Sequence, residues 1–154
     1  MAREDVFNTA RNYGTFLGIF FKQVAKEVGQ ARALELYGQC GTDLGAMRAR
    51  LIQENPGNPQ AIAGKLKVLY ESFGLSPEVT TFDGRIQTTF RECPIYEGLQ
   101  TAGLERSTIE DMCKALTEQE GQAVRQQCPN SDLRLTRLRS SARDSCSEEI
   151  VLST

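Results

Sequence analysis

The 154 residues contain 40% hydrophobic and 25% charged side chains, which is the ordinary composition of one globular domain. The formal net charge is only −2, from 18 basic and 20 acidic side chains. Such a chain has no overall field to attract phosphate backbones or an anionic membrane surface. We therefore expect neither a nucleic-acid partner nor a membrane partner.

Targeting signals are not evident in the sequence. The longest apolar stretch, residues 16–21, is far shorter than the roughly 20 residues of a membrane-spanning helix. Residues 1–5 are charged and lead into a patterned helix, unlike the start of a secretory signal. These observations predict a cytoplasmic protein.

The chain has five cysteines and no histidine. An odd number of cysteines without a C-x-x-C pair or an export signal predicts reduced thiols rather than a disulfide framework. The absence of histidine removes the commonest general base, the commonest metal ligand and every Cys-His or Ser-His nucleophile pair. Any chemistry must therefore use other groups.

Residues 1–75 are predicted to form three amphipathic helices. Over residues 5–30 apolar side chains recur at spacings of three and four, and Gly14 and Gly18 on that stripe favour close packing. A third helix begins at Asn58, a typical N-cap, with Pro59 at its first position. Between them, the second helix is expected to bury the following stripe: Tyr37, Cys40, Leu44, Met47 and Leu51.

Residues 76–154 are predicted to be rich in strands. Two runs of β-branched and aromatic residues flank Asp83 and Gly84, which form the favoured two-residue hairpin turn. Alternating leucines after residue 131 and the pattern of residues 145–152 predict a second hairpin.

Two helices are predicted between these hairpins. Pro94 stops the second strand and opens a short helix, which Gly103 closes. Ser107 and Glu110 have the form of a capping box at the start of a longer helix. The whole pattern predicts a single α+β domain over residues 1–154, with N-terminal helices packed on a small antiparallel sheet.

Cys93 is the first candidate for chemistry. It immediately precedes Pro94, so it is predicted at a helix N-cap, where unpaired amides and the helix dipole favour an anion. Such a thiol can have its pKa drawn below the usual value of roughly 8.5, which would supply a nucleophilic thiolate without histidine. The alternative is a small, half-buried residue at a strand-helix junction.

Cys113 and Cys146 are each predicted to be buried, the first on a helix stripe and the second on a strand face. A strand end, a helix and the last strand can converge under one sheet face, so these two cysteines join Cys93 as candidate catalytic residues. Cys40 and Cys128 have no comparable argument, and we expect both to be structural.

Metal binding is the weaker interpretation of the same three cysteines. They lack the closely spaced pairs of most zinc and iron-sulfur sites. We therefore expect no metal and no other cofactor. If a metal is present, its candidate ligands are Cys93, Cys113 and Cys146.

Arginines around the last hairpin are candidates for binding a small carboxylate, because a guanidinium matches that group with two hydrogen bonds. We select Arg137 and Arg139, together with Tyr96 in the short helix, as candidate substrate-binding residues. The alternative is that the arginines cover a solvated sheet face and that Tyr96 only packs. The candidate proton carriers near Cys146 are Asp144, Glu148 and Glu149.

Four segments of residues 60–153 carry a family resemblance. They are the Cys-Pro-Ile-Tyr sequence at 93–96, the helix with Cys113, the segment 129–135 and the Asp-Ser-Cys sequence at 144–146. The chain resembles the L-2-amino-thiazoline-4-carboxylic acid hydrolase family, whose members pair an N-terminal helical region with three spaced cysteines and a closing hairpin.

The resemblance implies hydrolytic opening of a thiazoline ring to an N-carbamoyl cysteine product, a step in bacterial cysteine formation. A thiolate that attacks the ring carbon, with an arginine that holds the carboxylate, is compatible chemistry. A non-catalytic domain that binds or senses a small molecule is the first alternative, and a cysteine-ligated metal or iron-sulfur site is the second. A homodimer is also left open.

Overall fold

The computed structural model describes residues 3–141 and 143–152. In these residues the elements follow in this order: α1 Arg3–Val28, α2 Gln30–Gln53, α3 Pro59–Ser72, β1 Pro77–Phe82, β2 Arg85–Phe90, α4 Pro94–Thr101, α5 Arg106–Gln127, β3 Ser131–Arg137 and β4 Cys146–Leu152. The strands form one antiparallel sheet in the order β1-β2-β4-β3. The predicted α+β class, with three N-terminal helices, two hairpins and two intervening helices, is confirmed.

Local sequence signals predict two element boundaries correctly, the turn between β1 and β2 and the start of α3. Asp83 and Gly84 both have positive φ, 46° and 69°, as the predicted hairpin turn requires. Asn58 caps α3 by accepting a hydrogen bond from the amide of Ala61 at 3.0 Å. Short-range backbone chemistry is sufficient to fix these positions.

The predicted capping box at Ser107 is wrong. Helix α5 begins at Arg106, with Glu105 as the N-cap two positions before Ser107 and no side-chain capping bond. Glu110 instead pairs with Arg106 at 2.7 Å, one turn away on the same helix. Because the helix already includes Ser107, its side chain is not needed as a cap.

The predicted buried stripe of α2 is correct only in part, since Tyr37, Leu44 and Leu51 are half-buried. Cys40 and Met47 are exposed, and the buried residues of α2 are mostly small ones: Ala33, Gly38, Gly41, Gly45, Arg48, Ala49 and Ile52. A Cβ added at Gly45 would lie 2.5 Å from the carbonyl oxygen of Glu120, which is closer than atoms approach. Helix α5 therefore packs directly on the small-residue face of α2, and large apolar side chains would hold the two helices apart.

Helix α1 packs on α4 by the close approach that the sequence predicted. A Cβ added at Gly14 would lie 2.7 Å from the carbonyl oxygen of Ile95. A Cβ added at Gly98 would lie 2.3 Å from the carbonyl oxygen of Arg11. Both positions therefore require glycine. This contact places the start of α4, and with it Tyr96, deep in the molecule.

Two apolar clusters make up the core. One lies between α3 and the sheet and includes Leu66, Tyr70, Ile86 and Ile150, and the other lies among the helices and includes Phe21, Tyr96, Leu99 and Met112. Cys146 packs against the first cluster, whereas Cys93 and Cys113 pack against the second. The three predicted cysteines thus lie where the two clusters meet.

Within residues 3–141 and 143–152, no helix is long and apolar enough to cross a lipid bilayer.

Candidate functional site

The junction between β2 and α4 positions Cys93. Its backbone is extended, Pro94 follows at the first helical position, and the sulfur accepts a hydrogen bond from the amide of Tyr96 at 3.4 Å. Cys93 is therefore the N-cap residue of α4, as the sequence predicted. This capping bond also fixes the direction in which α4 carries Tyr96 into the core.

Cys146 starts β4 and lies opposite Phe90, the last residue of β2. The guanidinium of Arg139 lies beside both residues. Its Nε is 3.2 Å from the sulfur of Cys146, and its Nη2 donates to the carbonyl oxygen of Phe90 at 3.0 Å. Arg139 is only 1% exposed, so a fixed positive charge is buried at this end of the two central strands.

Cys113 approaches the same place from α5. Its thiol interacts electrostatically with Cys93, Cys146 and Arg139. The Arg139 guanidinium also lies over the ring of Tyr96, with 5.4 Å between Cζ and the ring centroid. We call these five residues, Cys93, Cys113, Cys146, Tyr96 and Arg139, the sulfur cluster. Five of the six predicted catalytic and substrate-binding residues are therefore brought together.

The protonation of the sulfur cluster differs from the sequence-based expectation. Burial raises the pKa of the Cys93 thiol, although the Tyr96 amide and the Arg139 charge act in the opposite direction. Burial, followed by the charges of Cys93 and Cys146, raises the pKa of Cys113 to about 12. The prediction that the helix N-terminus lowers the pKa of Cys93 is wrong, because desolvation outweighs the backbone hydrogen bonds to the sulfur and the charge of Arg139. Both thiols are neutral near pH 7.

The hydroxyl of Tyr96 is the unusual feature of the sulfur cluster. Tyr96 is 1% exposed, and its hydroxyl has no hydrogen-bond partner among the residues that the structure describes. Burial also raises the pKa of this phenol, against the charge of Arg106, so it keeps its proton. A buried hydroxyl without a partner costs roughly 1–3 kcal/mol, which a bound molecule can recover.

Metal-binding geometry is not present in the described part of the chain. No group of three or more histidine, cysteine, aspartate or glutamate side chains there is arranged to hold an ion. The three sulfurs interact with one another, but they do not converge as ligands do.

Arg137, the sixth candidate, lies outside the sulfur cluster. It is 59% exposed and pairs with Asp144 at 2.5 Å. The other predicted proton carriers are also engaged elsewhere: Glu149 pairs with Arg134 at 2.6 Å, and Glu148 belongs to a separate buried group. The solvated-face alternative is therefore correct for Arg134 and Arg137, but not for Arg139.

The separate group is a buried set of charged side chains that no sequence pattern predicted. The Nη1 atom of Arg48 lies 2.7 Å from Glu120 and 3.0 Å from Glu148, and Tyr70 donates to the other oxygen of Glu148. We call Arg48, Tyr70, Glu120 and Glu148 the carboxylate cluster. An arginine on the otherwise small-residue stripe of α2 was the signal that could have identified it.

Two carboxyl groups share one guanidinium in the carboxylate cluster. Burial raises the pKa of Glu120 to about 7, since the attraction of Arg48 only partly compensates for lost hydration and Glu148 adds repulsion. Desolvation acts to lower the pKa of Arg48, but the charge of Glu148 holds it above its usual value. Each polar side chain of this cluster has a partner, in contrast to Tyr96.

A surface groove of about 700 Å³ lies between α2 and α3. Its walls are mostly apolar, with Met47, Leu51 and Val68 beside Arg50 and Lys65. It contains no residue of either cluster, so it offers none of the predicted chemistry. The sulfur cluster remains the candidate site.

No model of a known protein family matches the chain, and no curated protein matches it. Among solved structures, the chain is similar to the crystal structure of a trafficking protein particle complex subunit 3 from Naegleria fowleri covalently bound to palmitic acid. That match has a TM-score of 0.48 and 11% sequence identity, and it covers 92% of this chain and 96% of that chain.

Proposed function

We propose that the chain is a small-molecule-binding domain and that its ligand forms a hydrogen bond with the hydroxyl of Tyr96 in the sulfur cluster. The observation that carries this proposal is the buried hydroxyl without a partner among the described residues. Native proteins rarely leave such a group unsatisfied outside functional sites. Cys93, Cys113 and Cys146 are half-buried, whereas Tyr96 and Arg139 are each only 1% exposed.

The chemistry of the sulfur cluster favours a small molecule with a carboxylate. Arg139 brings the only fixed positive charge among its five residues, and the neutral thiols of Cys93 and Cys113 are soft, polarisable surfaces. A sulfur-containing heterocycle with a carboxylate matches both properties. L-2-Amino-thiazoline-4-carboxylate, the substrate that the family resemblance implies, is the specific candidate.

Isothermal titration calorimetry with L-2-amino-thiazoline-4-carboxylate tests binding. The parent protein should bind, and Tyr96→Phe should weaken binding about tenfold, the effect of one lost hydrogen bond. Tyr13→Phe is the matched control, because Tyr13 is 68% exposed on α1 and its hydroxyl lies outside the cluster. Absence of binding by the parent, or equal affinity of Tyr96→Phe and the parent, contradicts the proposal.

Hydrolysis of that ligand is the second candidate function. The favouring observation is the 3.2 Å contact between Arg139 and Cys146, because a neighbouring arginine stabilises a thiolate. In the proposed reaction, a thiolate adds to the ring carbon between nitrogen and sulfur, the ring carbon-sulfur bond breaks, and the ring sulfur takes a proton. Water then displaces the thiolate, and its oxygen becomes the carbonyl oxygen of the N-carbamoyl cysteine product.

Ring opening is measured directly by chromatography of the product. If hydrolysis occurs, Cys146→Ser should lose turnover, whereas Cys40→Ser should retain it, because Cys40 is exposed on α2 and is not one of the five residues of the cluster. Cys93→Ser and Cys113→Ser identify the nucleophile if Cys146→Ser remains active. Binding without turnover by the parent would contradict hydrolysis and leave the binding proposal intact.

A further inference from the structure

Helix α1 has an exposed face that is distinct from both buried clusters. Four large apolar side chains in the middle of this helix are exposed: Tyr13 by 68%, Phe16 by 68%, Ile19 by 48% and Phe20 by 57%. The opposite face of α1 is covered by α4 through Gly14 and Gly18. The exposed aromatic residues therefore have no role in holding α1 in place.

The spacing of this face is regular along the helix. Alternating steps of three and four residues, the pattern of a helix-helix seam, connect exposed residues from one end of α1 to the other: Asp5, Thr9, Asn12, Phe16, Ile19, Gln23 and Lys26. Tyr13 and Phe20 flank this seam. All exposed residues of α1 between Asp5 and Lys26 are uncharged. Depletion of charge around exposed aromatic side chains is typical of the centre of a protein interface.

The charges at the two ends of the face indicate what covers it. Asp5 lies near the start of α1 and Lys26 near its end. If two copies of α1 pack antiparallel with Phe16 at the centre, Asp5 of each copy lies beside Lys26 of the other. Parallel packing would instead bring like charges together at both ends. The antiparallel arrangement also aligns the two helix dipoles favourably.

We propose that this chain forms a homodimer through the α1 face, with two copies of the helix packed antiparallel about a two-fold axis at Phe16. Each copy then presents the same surface to the other, as a two-fold interface requires. The 26 residues of α1 extend over about 39 Å, which is long enough for both end pairs to form. A membrane surface fits less well, because interfacial helices usually carry several basic residues along their polar face.

Sedimentation velocity of the full chain over a range of concentrations tests the dimer. The parent should dimerise, and Phe16→Glu should raise the dissociation constant by at least about thirtyfold, because it removes the central aromatic contact and places like charges on the axis. Phe82→Glu is the matched control, since Phe82 is a phenylalanine 52% exposed at the end of β1. Circular dichroism and thermal unfolding confirm that both variants fold.

Charge reversal tests the antiparallel arrangement. Asp5→Lys alone and Lys26→Asp alone should each weaken the dimer about threefold to tenfold, and the double variant should restore it, because both end pairs are rebuilt with opposite polarity. A parent that stays monomeric up to the hundred-micromolar range overturns the proposal, and so does a dimer that Phe16→Glu does not weaken. A monomer that binds neutral lipid vesicles through Phe16 would assign the face to a membrane instead.

Discussion

Two buried arginines organise this molecule in different ways. Arg48 is held between Glu120 and Glu148, and Tyr70 satisfies the remaining carboxyl oxygen of Glu148. Arg139 lies among three thiols, and the tyrosine beside it keeps a buried hydroxyl without a partner in the described residues. The carboxylate cluster is internally satisfied, so we expect it to support the fold. The sulfur cluster has an unused hydrogen-bonding group, so we expect it to bind a ligand.

The largest expected effect comes from removing the cation of the carboxylate cluster. Arg48→Met leaves two buried carboxyl groups without a counter-charge, and we expect it to lower the free energy of unfolding by about 3–5 kcal/mol. Urea denaturation measures this change. Arg50→Met, at an exposed arginine of the same helix, should change it by less than about 0.5 kcal/mol. Similar losses in both variants would show that Arg48 is not a structural centre.

The pH dependence of stability provides a second test of the carboxylate cluster. Folding raises the pKa of Glu120 from its usual 4.5 to about 7. This group therefore contributes stability that is fully present below about pH 4.5 and is lost as the pH rises through 7. Glu120→Gln removes this dependence. The free energy of unfolding of the variant minus that of the parent should therefore rise by about 2 kcal/mol from pH 5 to pH 8.

Denaturation at a series of pH values checks this prediction. Glu118→Gln, an exposed glutamate two positions earlier on α5, is the control and should follow the parent at every pH. Parallel curves for Glu120→Gln and the parent would mean that Glu120 ionises normally in the folded state.

The two tyrosines provide the most direct comparison of the clusters. Tyr70→Phe leaves an oxygen of Glu148 unsatisfied, and we expect a loss of about 1–3 kcal/mol in the free energy of unfolding. Tyr96→Phe removes a hydroxyl that has no partner, and we expect it to leave the stability of the ligand-free protein unchanged or slightly higher. A lower free energy of unfolding for Tyr96→Phe than for the parent would show that this hydroxyl stabilises the fold.

The smallest effect concerns thiol reactivity. Cys93 and Cys113 have raised pKa values, so both are protonated at pH 7 and should react slowly with iodoacetamide. Exposed Cys40 should react at least about tenfold faster than either of them. Mass spectrometry of digested protein over time measures the three rates. Fast alkylation of Cys93 would instead support a nucleophilic thiolate.

Much of the sulfur cluster was accessible from sequence. Cys93 before Pro94 identifies a helix N-cap, and the sequence predicts one site with Cys113, Cys146, Tyr96 and Arg139, together with Arg137. The protonation state of Cys93 could not be predicted from sequence, because the cost of burying a thiolate depends on what surrounds the sulfur. Arg137 could not be separated from Arg139 by sequence, since the two arginines follow one another closely and only one turns inward.

The sequence by itself determined the type and order of the helices and strands, the hairpin turn at Asp83 and the cap at Asn58, because these depend on neighbouring residues. The tertiary structure decided which face of α2 is buried and where the Arg48 guanidinium lies. Both depend on how closely α5 approaches α2. Arg48 and Glu148 are separated by 100 positions in the chain. No local pattern links side chains so distant, and only the packing of α2 on α5 and the sheet brings their charges together.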